Sequence, residues 1–208
     1  TLDASGRIVA PGFIDLHQHG DSPEVYRAKI HDGVTSALEL ELGVEDVAAW
    51  YAEREGKSLL NFGATISHTD SRRLAMGGRL SKSRLSGDWA IQAMTGEQIE
   101  GLKDRLSKGL EQGAVGLGML IAYTPGTTAD EIEAVFSLAA KYNAAVYVHM
   151  RTNAADISNL EEVLTPAQRH GTQLHIVHLN SSGRDRAPDY LARIRAAQAE
   201  GIDVTTEC

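Results

Sequence analysis

Short apolar runs alternate with helical patterns along the whole chain. The runs are rich in β-forming residues and cover residues 8–16, 35–42, 61–68, 114–122, 144–150, 173–179 and 202–207. Most successive runs start roughly 26 to 30 residues apart, and one gap is about twice as long. Regular alternation of strand and helix indicates βαβ units and hence a parallel sheet.

Four of the intervening segments carry signals for helix ends. These signals are a capping box at 95–98 before residues 99–112, a cap at Thr128, the pair Thr165-Pro166, and a glycine stop after residues 187–200. The pair Thr165-Pro166 predicts the start of a short third helix, because proline is favoured in the first helical turn.

The number of predicted strands favours a barrel. Seven strands fall one short of a closed eight-stranded barrel, which usually needs about 250 residues. The competing open, doubly wound sheet normally carries a glycine-rich phosphate turn after its first strand, and this sequence has none there. We predict an α/β fold, a (β/α)8 TIM-type barrel truncated before its eighth strand. Residues 1–208 would form one barrel domain, a fragment that lacks flanking N- and C-terminal parts.

The double-length gap, residues 69–94, is rich in serine, arginine and glycine. In a barrel it would form a long loop after the third strand, on the face where active sites lie. Two interpretations stay open. The segment is either a solvated, mobile insertion or a positively charged lid over an anionic substrate.

Composition and charge narrow the class of partner. The net charge of −8 disfavours a nucleic-acid surface, which would need a basic stripe. No run of about twenty apolar residues is present, so no membrane span is expected. The single cysteine, Cys208, fits a reducing cytoplasm. We expect a cytoplasmic protein with a small-molecule substrate, and homo-oligomers as an option because an incomplete barrel exposes strand edges.

Four of the predicted strands end in histidine. His17 and His19 close the first run and share one face, because side chains alternate along a strand. His68, His149 and His178 end the third, fifth and sixth runs. Taken singly, each could be an ordinary surface or core histidine. Together they lie at the strand edge where barrels place catalytic groups, and imidazoles there can share a divalent metal.

The second predicted strand carries two carboxylates, Glu39 and Glu41, on one face. Parallel strands covered by helices are normally almost continuously apolar, so buried carboxylates there need a partner or a metal. Glu41, nearer the strand's end, is the better candidate for bridging a metal pair, and Glu39 would orient a ligand. A contact with a buried lysine or arginine is the alternative.

Five of these residues form a nitrogen and oxygen ligand set: His17, His19, Glu41, His149 and His178. The set suits one or two divalent ions, with Zn²⁺ favoured and Mn²⁺ or Fe²⁺ as alternatives. A metal site with an open position acidifies bound water and polarises a carbonyl. The pattern therefore predicts hydrolysis by metal-bound hydroxide.

The motif Pro-Gly-Phe-Ile-Asp-Leu-His-Gln-His at 11–19, with His149 and His178 on later strands, resembles the amidohydrolase superfamily of metal-dependent barrels. Within it, the sequence is most similar to the branch of the N-acyl-D-amino-acid deacylases. Further similar segments lie at 33–36, 61–68, 113–126, 149–151, 175–179 and 201–205.

The resemblance implies roles for individual residues. His17 and His19 would bind one metal, and His149 and His178 the second. Three further residues would act in catalysis, with His68 beside the metals and Tyr123 and Arg151 near the substrate.

Arg151 also has a rationale of its own. A guanidinium just past a ligand strand can clamp a carboxylate with two parallel hydrogen bonds. Pairing with Asp156 is the alternative.

The sequence departs from the resembled proteins in several places. Glu41 and its neighbours stand where the deacylase branch has a cysteine ligand, so a carboxylate would form the metal bridge. Asn180 replaces a lysine that the deacylases carry two residues after the histidine of the sixth strand. The fourth run, 114–122, lacks the carbamylated lysine that many members of the superfamily use. The family's general-base aspartate belongs to an eighth strand.

The resemblance and the ligand set lead to one expected activity. We expect a hydrolase that cleaves a non-peptide C–N amide bond of a small acylated amino acid or peptide-like compound bearing a carboxylate. A cyclic amidase or deaminase with the same metal site is the alternative within enzymes. A catalytically silent barrel acting as a binding or assembly module is the alternative outside them.

Overall fold

A computed structural model describes residues 2–79, 86–152 and 155–207. In these residues seven strands form a single sheet: β1 Phe13–Asp15, β2 Val34–Val44, β3 Asn61–Ser67, β4 Gly116–Leu120, β5 Ala145–His149, β6 Leu174–Ile176 and β7 Val204–Thr206. Neighbours in the sheet follow chain order, and every pair is parallel. Sequential order is that of a barrel, since a doubly wound sheet reverses its order at a switch point. The predicted truncated α/β barrel is confirmed.

Helices connect the strands. They are α1 Pro23–His31, α2 Val47–Arg54, α3 His68–Ala75, α4 Asp88–Ile91, α5 Gly96–Glu111, α6 Ala129–Lys141, α7 Ser158–His170, α8 Leu179–Gly183 and α9 Ala187–Ala199. Leu102 and Leu106 of α5 and Phe136 of α6 are fully buried in a core shared with the strands. In the described part of the chain, no helix combines the length and apolar character needed to cross a membrane.

The sheet curls so that the carboxyl ends of distant strands meet. Glu41 of β2 contacts His149 at the end of β5. His17, just after β1, is hydrogen-bonded to Glu207, just after β7. Contacts between the first and last strands require a curved sheet, which gathers the residues that follow the strands around one centre.

An irregularity in β2 aims Glu41 into this centre. Residues 40–43 stand opposite Thr65 alone, because pairing with β3 jumps from Glu39–Ala64 to Val44–Ile66. The Thr65 hydroxyl donates to the Leu40 carbonyl at 2.8 Å and holds the bulge. Bulges of this kind re-aim side chains beside functional sites.

Glycine at position 118 of β4 is required by the same bulge. A Cβ atom there would lie 2.5 Å from the carbonyl oxygen of Glu41. The close approach of β4 to the bulge thus excludes any side chain at this position.

Two predicted boundaries are wrong. The first strand covers only Phe13–Asp15, and residues 8–12 lie outside the sheet and are exposed. The helix predicted to start at Thr165 is α7 in the structure. It starts at Ser158 and contains Pro166 in its interior. A proline there removes one backbone hydrogen bond. The burial of Leu160, Val163, Leu164 and Ala167 on one helix face offsets this loss.

The prediction of a long loop over 69–94 is also wrong in its first part. Residues 68–75 form α3, whose first six residues are all buried, and a short helix α4 follows later. Arg72 and Arg73 are therefore part of the interior and do not form a charged lid. Of the other basic residues in this segment, Arg79 is exposed, and Lys82 and Arg84 fall outside the described residues.

Candidate metal centre

The strand ends bring the five sequence-predicted ligands together. His17 and His19 follow β1, Glu41 lies on the β2 bulge and His149 ends β5. His178 follows β6 with a left-handed backbone, φ 35° and ψ 54°. Such a conformation is rare for a non-glycine residue, and positions of this kind cluster at functional sites.

The Glu41 carboxylate lies between two pairs of histidines. Its Oε2 is 3.1 Å from Nε2 of His17 and 2.9 Å from Nε2 of His19. Its Oε1 is 2.6 Å from Nδ1 of His149 and 2.8 Å from Nε2 of His178. Each oxygen therefore forms a triangle with one histidine pair, and the single carboxylate joins the two triangles.

The spacing within each triangle fits a divalent metal. The two ring nitrogens are 3.2 Å apart in the His17–His19 pair and 3.1 Å apart in the His149–His178 pair. Two ligands about 2.0–2.1 Å from a tetrahedral zinc ion lie about 3.3 Å from each other. His17, Glu41 and His178 also bring their ligand atoms within 4.8 Å of one another.

The charges around the centre favour the binding of a positive ion. Burial alone would raise the pKa of Glu41, but hydrogen bonds from His149, His19 and His178 lower it far below its usual range. Hydrogen bonds to Glu39 and then Glu41 raise the pKa of His19 to about 10. The carboxylate side chain is only 7% exposed, so a charge placed between the histidine pairs would be screened little by water.

Three residues contact the ring nitrogens of the histidines that face away from Glu41. Both oxygens of Glu39 lie 3.2 Å from Nδ1 of His19, the orienting contact that the strand spacing predicts. Glu207 is hydrogen-bonded to Nδ1 of His17, and the Ser182 hydroxyl lies 3.3 Å from Nδ1 of His178.

Glu207 and Ser182 were not found from the sequence. Glu207 closes the seventh apolar run at the same strand edge as the histidines, and this position could have indicated it.

Tyr123 lies at the mouth of the centre. Its ring stands edge-on to His149, with the centroids 4.9 Å apart, and 42% of the residue is exposed. It belongs to a 3-10 turn, Ile121–Tyr123, directly after β4. The structure thus places Tyr123 beside the centre.

The guanidinium of Arg151 is held by hydrogen bonds within the protein. Its Nε donates to Glu162 at 3.0 Å, and its two terminal nitrogens donate to the carbonyls of Ile121 and Thr127, at 3.2 and 2.7 Å. The guanidinium therefore anchors the turn that carries Tyr123, and its carboxylate partner is Glu162.

His68 contacts a different carboxylate from the one that the four candidate histidine ligands share. It is the first residue of α3, and its Nε2 is 2.8 Å from Oε1 of Glu131 on α6. Arg72 donates to the same oxygen at 2.9 Å, and all three side chains are 0% exposed. His68, Arg72 and Glu131, called here the internal cluster, tie α3 to α6.

A cleft of about 420 Å³ opens beside the centre. Its walls include His19, Glu39, Trp50, Asp70 and Arg73. Arg73 donates to Asp70 at 2.5 Å, so the basic side chain in this wall has an acidic partner. The cleft gives a small molecule access to the His19 side of the centre.

Comparisons with known proteins agree with this architecture. Residues 8–181 match the Amidohydrolase family, and the chain belongs to that family. An N-acyl-D-glutamate deacylase of Alcaligenes xylosoxydans xylosoxydans is 28% identical over 241 residues, covering 99% of this chain and 47% of the relative. An allantoinase of Escherichia coli (strain SMS-3-5 / SECEC) is 25% identical over 232 residues, covering 99% and 49%.

Solved structures show the same fold. An N-acyl-D-glutamate deacylase from Bordetella bronchiseptica, complexed with zinc and a phosphonate mimic of the tetrahedral intermediate, matches with a TM-score of 0.80 and 26% identity. The match covers 98% of this chain and 48% of that one. A D-aminoacylase matches with a TM-score of 0.75 at 21% identity, over 95% and 47%, which concerns the fold alone. The chain spans about half the length of these relatives.

Proposed function

We propose that this protein is a metal-dependent hydrolase that cleaves a non-peptide C–N bond in a small N-acylated amino acid. The observation that carries the proposal is the Glu41 carboxylate placed between two histidine pairs. A buried carboxylate with four imidazoles around it is a costly arrangement, and a divalent cation would repay that cost. The 28% identical N-acyl-D-glutamate deacylase supports the reaction type.

The residues present would hold two divalent ions. His17 and His19 with Oε2 of Glu41 would hold one, and His149 and His178 with Oε1 would hold the other. Zinc is supported by the zinc-complexed deacylase structure, and the nitrogen and oxygen donors also accept Mn²⁺ or Fe²⁺. When bound, the metal supplies a polarising charge for the scissile carbonyl and an acidified water.

The chain's own residues would position the substrate. Tyr123 stands at the exposed mouth beside His149, where its hydroxyl can donate a hydrogen bond to the amide oxygen. Arg151 would act indirectly, by anchoring the turn that carries Tyr123. We assign His68 to the packing of α3 on α6, because its fully buried ring contacts Glu131.

A second candidate is hydrolysis of a cyclic amide. Allantoinases are 25% identical over 99% of this chain. Asn180, exposed at the start of α8, also offers no charge to a substrate carboxylate. The metal centre would be the same, and the substrates would differ.

A substrate panel tests the proposal. Full-length protein loaded with Zn²⁺ is offered N-acetyl-D-glutamate, other N-acetyl-D-amino acids, allantoin and hydantoin. Release of a free α-amine from an N-acyl substrate is the expected result. Ring opening of a cyclic amide without amine release would favour the second candidate, and turnover of neither class would contradict both.

Substitution of the ligands completes this test. His17→Ala and His178→Ala should lose activity at least a thousandfold and lose bound metal by elemental analysis, while circular dichroism stays unchanged. His31→Ala is the matched control, since His31 is exposed at the end of α1. Activity of either ligand variant within tenfold of the unaltered protein would overturn the assignment.

A further inference from the structure

Glu207 occupies an unusual position for an acidic residue that is not itself a ligand. It follows β7, the last strand of the sheet, yet its Oε1 is hydrogen-bonded to Nδ1 of His17 beside β1, at the opposite end of the strand order. The same oxygen accepts from the backbone N–H of His178 at 3.4 Å. The Glu207 carbonyl accepts from the N–H of Leu179 at 3.0 Å. Glu207 thus contacts one histidine from each of the two pairs.

The contact with His17 fixes the orientation of its ring. A carboxylate accepts hydrogen bonds and does not donate them, so Nδ1 of His17 donates to Glu207. With Nδ1 held in this way, the opposite ring nitrogen, Nε2, faces Oε2 of Glu41, 3.1 Å away. The contact thereby aims Nε2 at the centre, where it could bind a metal.

The neighbouring histidine also contacts a carboxylate outside the set of predicted ligands. Nδ1 of His19 faces the carboxylate of Glu39, and its Nε2 faces Oε2 of Glu41. Two outer carboxylates, Glu207 and Glu39, therefore orient the two rings of one pair so that their Nε2 atoms lie 3.2 Å apart. Carboxylates in this position also make the ring a stronger ligand.

We propose that Glu207 is a positioning residue for the His17–His19 half of the metal centre and that it orients the His17 ring. The inference rests on the proposed metal-dependent function. Its consequence is that Glu207 controls the affinity of one metal position while remaining outside the set of ligands.

The test measures metal affinity directly. Full-length Glu207→Gln and unaltered protein are stripped with a chelator and titrated with Zn²⁺ against a chromophoric competitor. Glutamine keeps the shape and an acceptor oxygen, so the contacts to the backbone N–H of His178 can persist while the charge is lost. One of two equivalents should bind roughly 10- to 100-fold more weakly.

Three variants calibrate this result. Asp203→Asn, exposed just before β7, should bind both equivalents as the unaltered protein does. Glu39→Gln should weaken one equivalent to a similar degree through His19. Glu207→Asp, which restores a carboxylate, should recover part of the affinity, and loading with Co²⁺ should show an altered visible spectrum for Glu207→Gln.

The outcomes separate the inference from the function on which it rests. Zinc affinity of Glu207→Gln within threefold of the unaltered protein would overturn the positioning role and leave the hydrolase proposal standing. A lower melting temperature with unchanged zinc affinity would do the same, because it would show a structural role only. Failure of the unaltered protein to bind zinc, manganese or iron would overturn both.

Discussion

The candidate metal centre and the internal cluster contain the same residue types in opposite surroundings. In the centre, one carboxylate faces four histidines whose side chains are 18–46% exposed. In the internal cluster, Glu131 faces one histidine and one arginine, and all three are sealed from water. Three carboxylates, Glu39, Glu41 and Glu207, face the histidines of the centre, and within the described residues none of the three contacts a lysine or arginine. The internal cluster, by contrast, contains its own cation, Arg72. An arrangement open to solvent and short of positive charge can bind a ligand, and a sealed one with its own cation holds helices together.

The substitution expected to have the largest effect is Glu41→Gln, at the carboxylate between the two histidine pairs. We expect activity on the substrate identified in the panel to fall at least a thousandfold, about 4 kcal/mol of activation free energy, because the bridge between the histidine pairs loses its charge. Metal content should fall in parallel by elemental analysis. Glu53→Gln, with a side chain that is 74% exposed, is the control and should behave as the unaltered protein.

The matching change in the internal cluster should act on stability. Glu131→Gln leaves Arg72 buried without a charged partner, and breaking a buried pair costs about 3–5 kcal/mol of unfolding free energy. Urea denaturation measures this loss. Glu133→Gln, two residues away on α6 with Arg169 and His170 as partners, should cost within about 1 kcal/mol, because its side chain is 30% exposed. Equal effects of the two changes would contradict the distinction.

The internal cluster should also make stability depend on acid. Burial raises the pKa of Glu131, but the hydrogen bond to His68 and the charges of His68 and Arg72 lower it overall below its ordinary value of 4.5. A carboxyl with a lowered folded-state pKa stabilises the fold fully above its unfolded pKa, and this contribution is lost as pH falls through the folded-state pKa. The difference in unfolding free energy between the unaltered protein and Glu131→Gln should therefore shrink below pH 4.5. A difference that stays constant down to pH 3 would exclude Glu131 as its source.

The smallest expected effect is that of Tyr123→Phe. Loss of one hydrogen bond to the substrate should reduce kcat about tenfold, with metal content unchanged. Steady-state kinetics on the preferred substrate measures it. Tyr142→Phe is the control, because the Tyr142 hydroxyl donates to Glu111 at the end of α5. An unchanged kcat would remove Tyr123 from the reaction.

The five candidate ligands could be picked out from the sequence because their placement follows local rules. The ends of the strands can be located in the sequence. Side-chain alternation then puts His17 and His19 on one face of their strand, and Glu39 and Glu41 on one face of theirs. The barrel order then follows from regular βαβ alternation. These rules require no knowledge of which distant strands meet.

What escaped prediction depends on three-dimensional closure. His68 ends an apolar run just as His149 does, and nothing local shows that its partner is Glu131, 63 residues away. Helix α3 was missed because its sequence is polar although it is buried, the reverse of the usual pattern. The contact of Glu207 with His17 arises only once the sheet curls.

The His17–Glu207 contact joins residues 190 positions apart in the chain. Contacts of such long range form late, since the entropy of closing the intervening loop must be overcome first. A chain leaving the ribosome would thus display His17 long before Glu207, the carboxylate that contacts its ring, is synthesised. With the proposed metal site, tight binding at His17 would have to wait until the seventh strand has docked, and metal loading would report that folding has reached this stage.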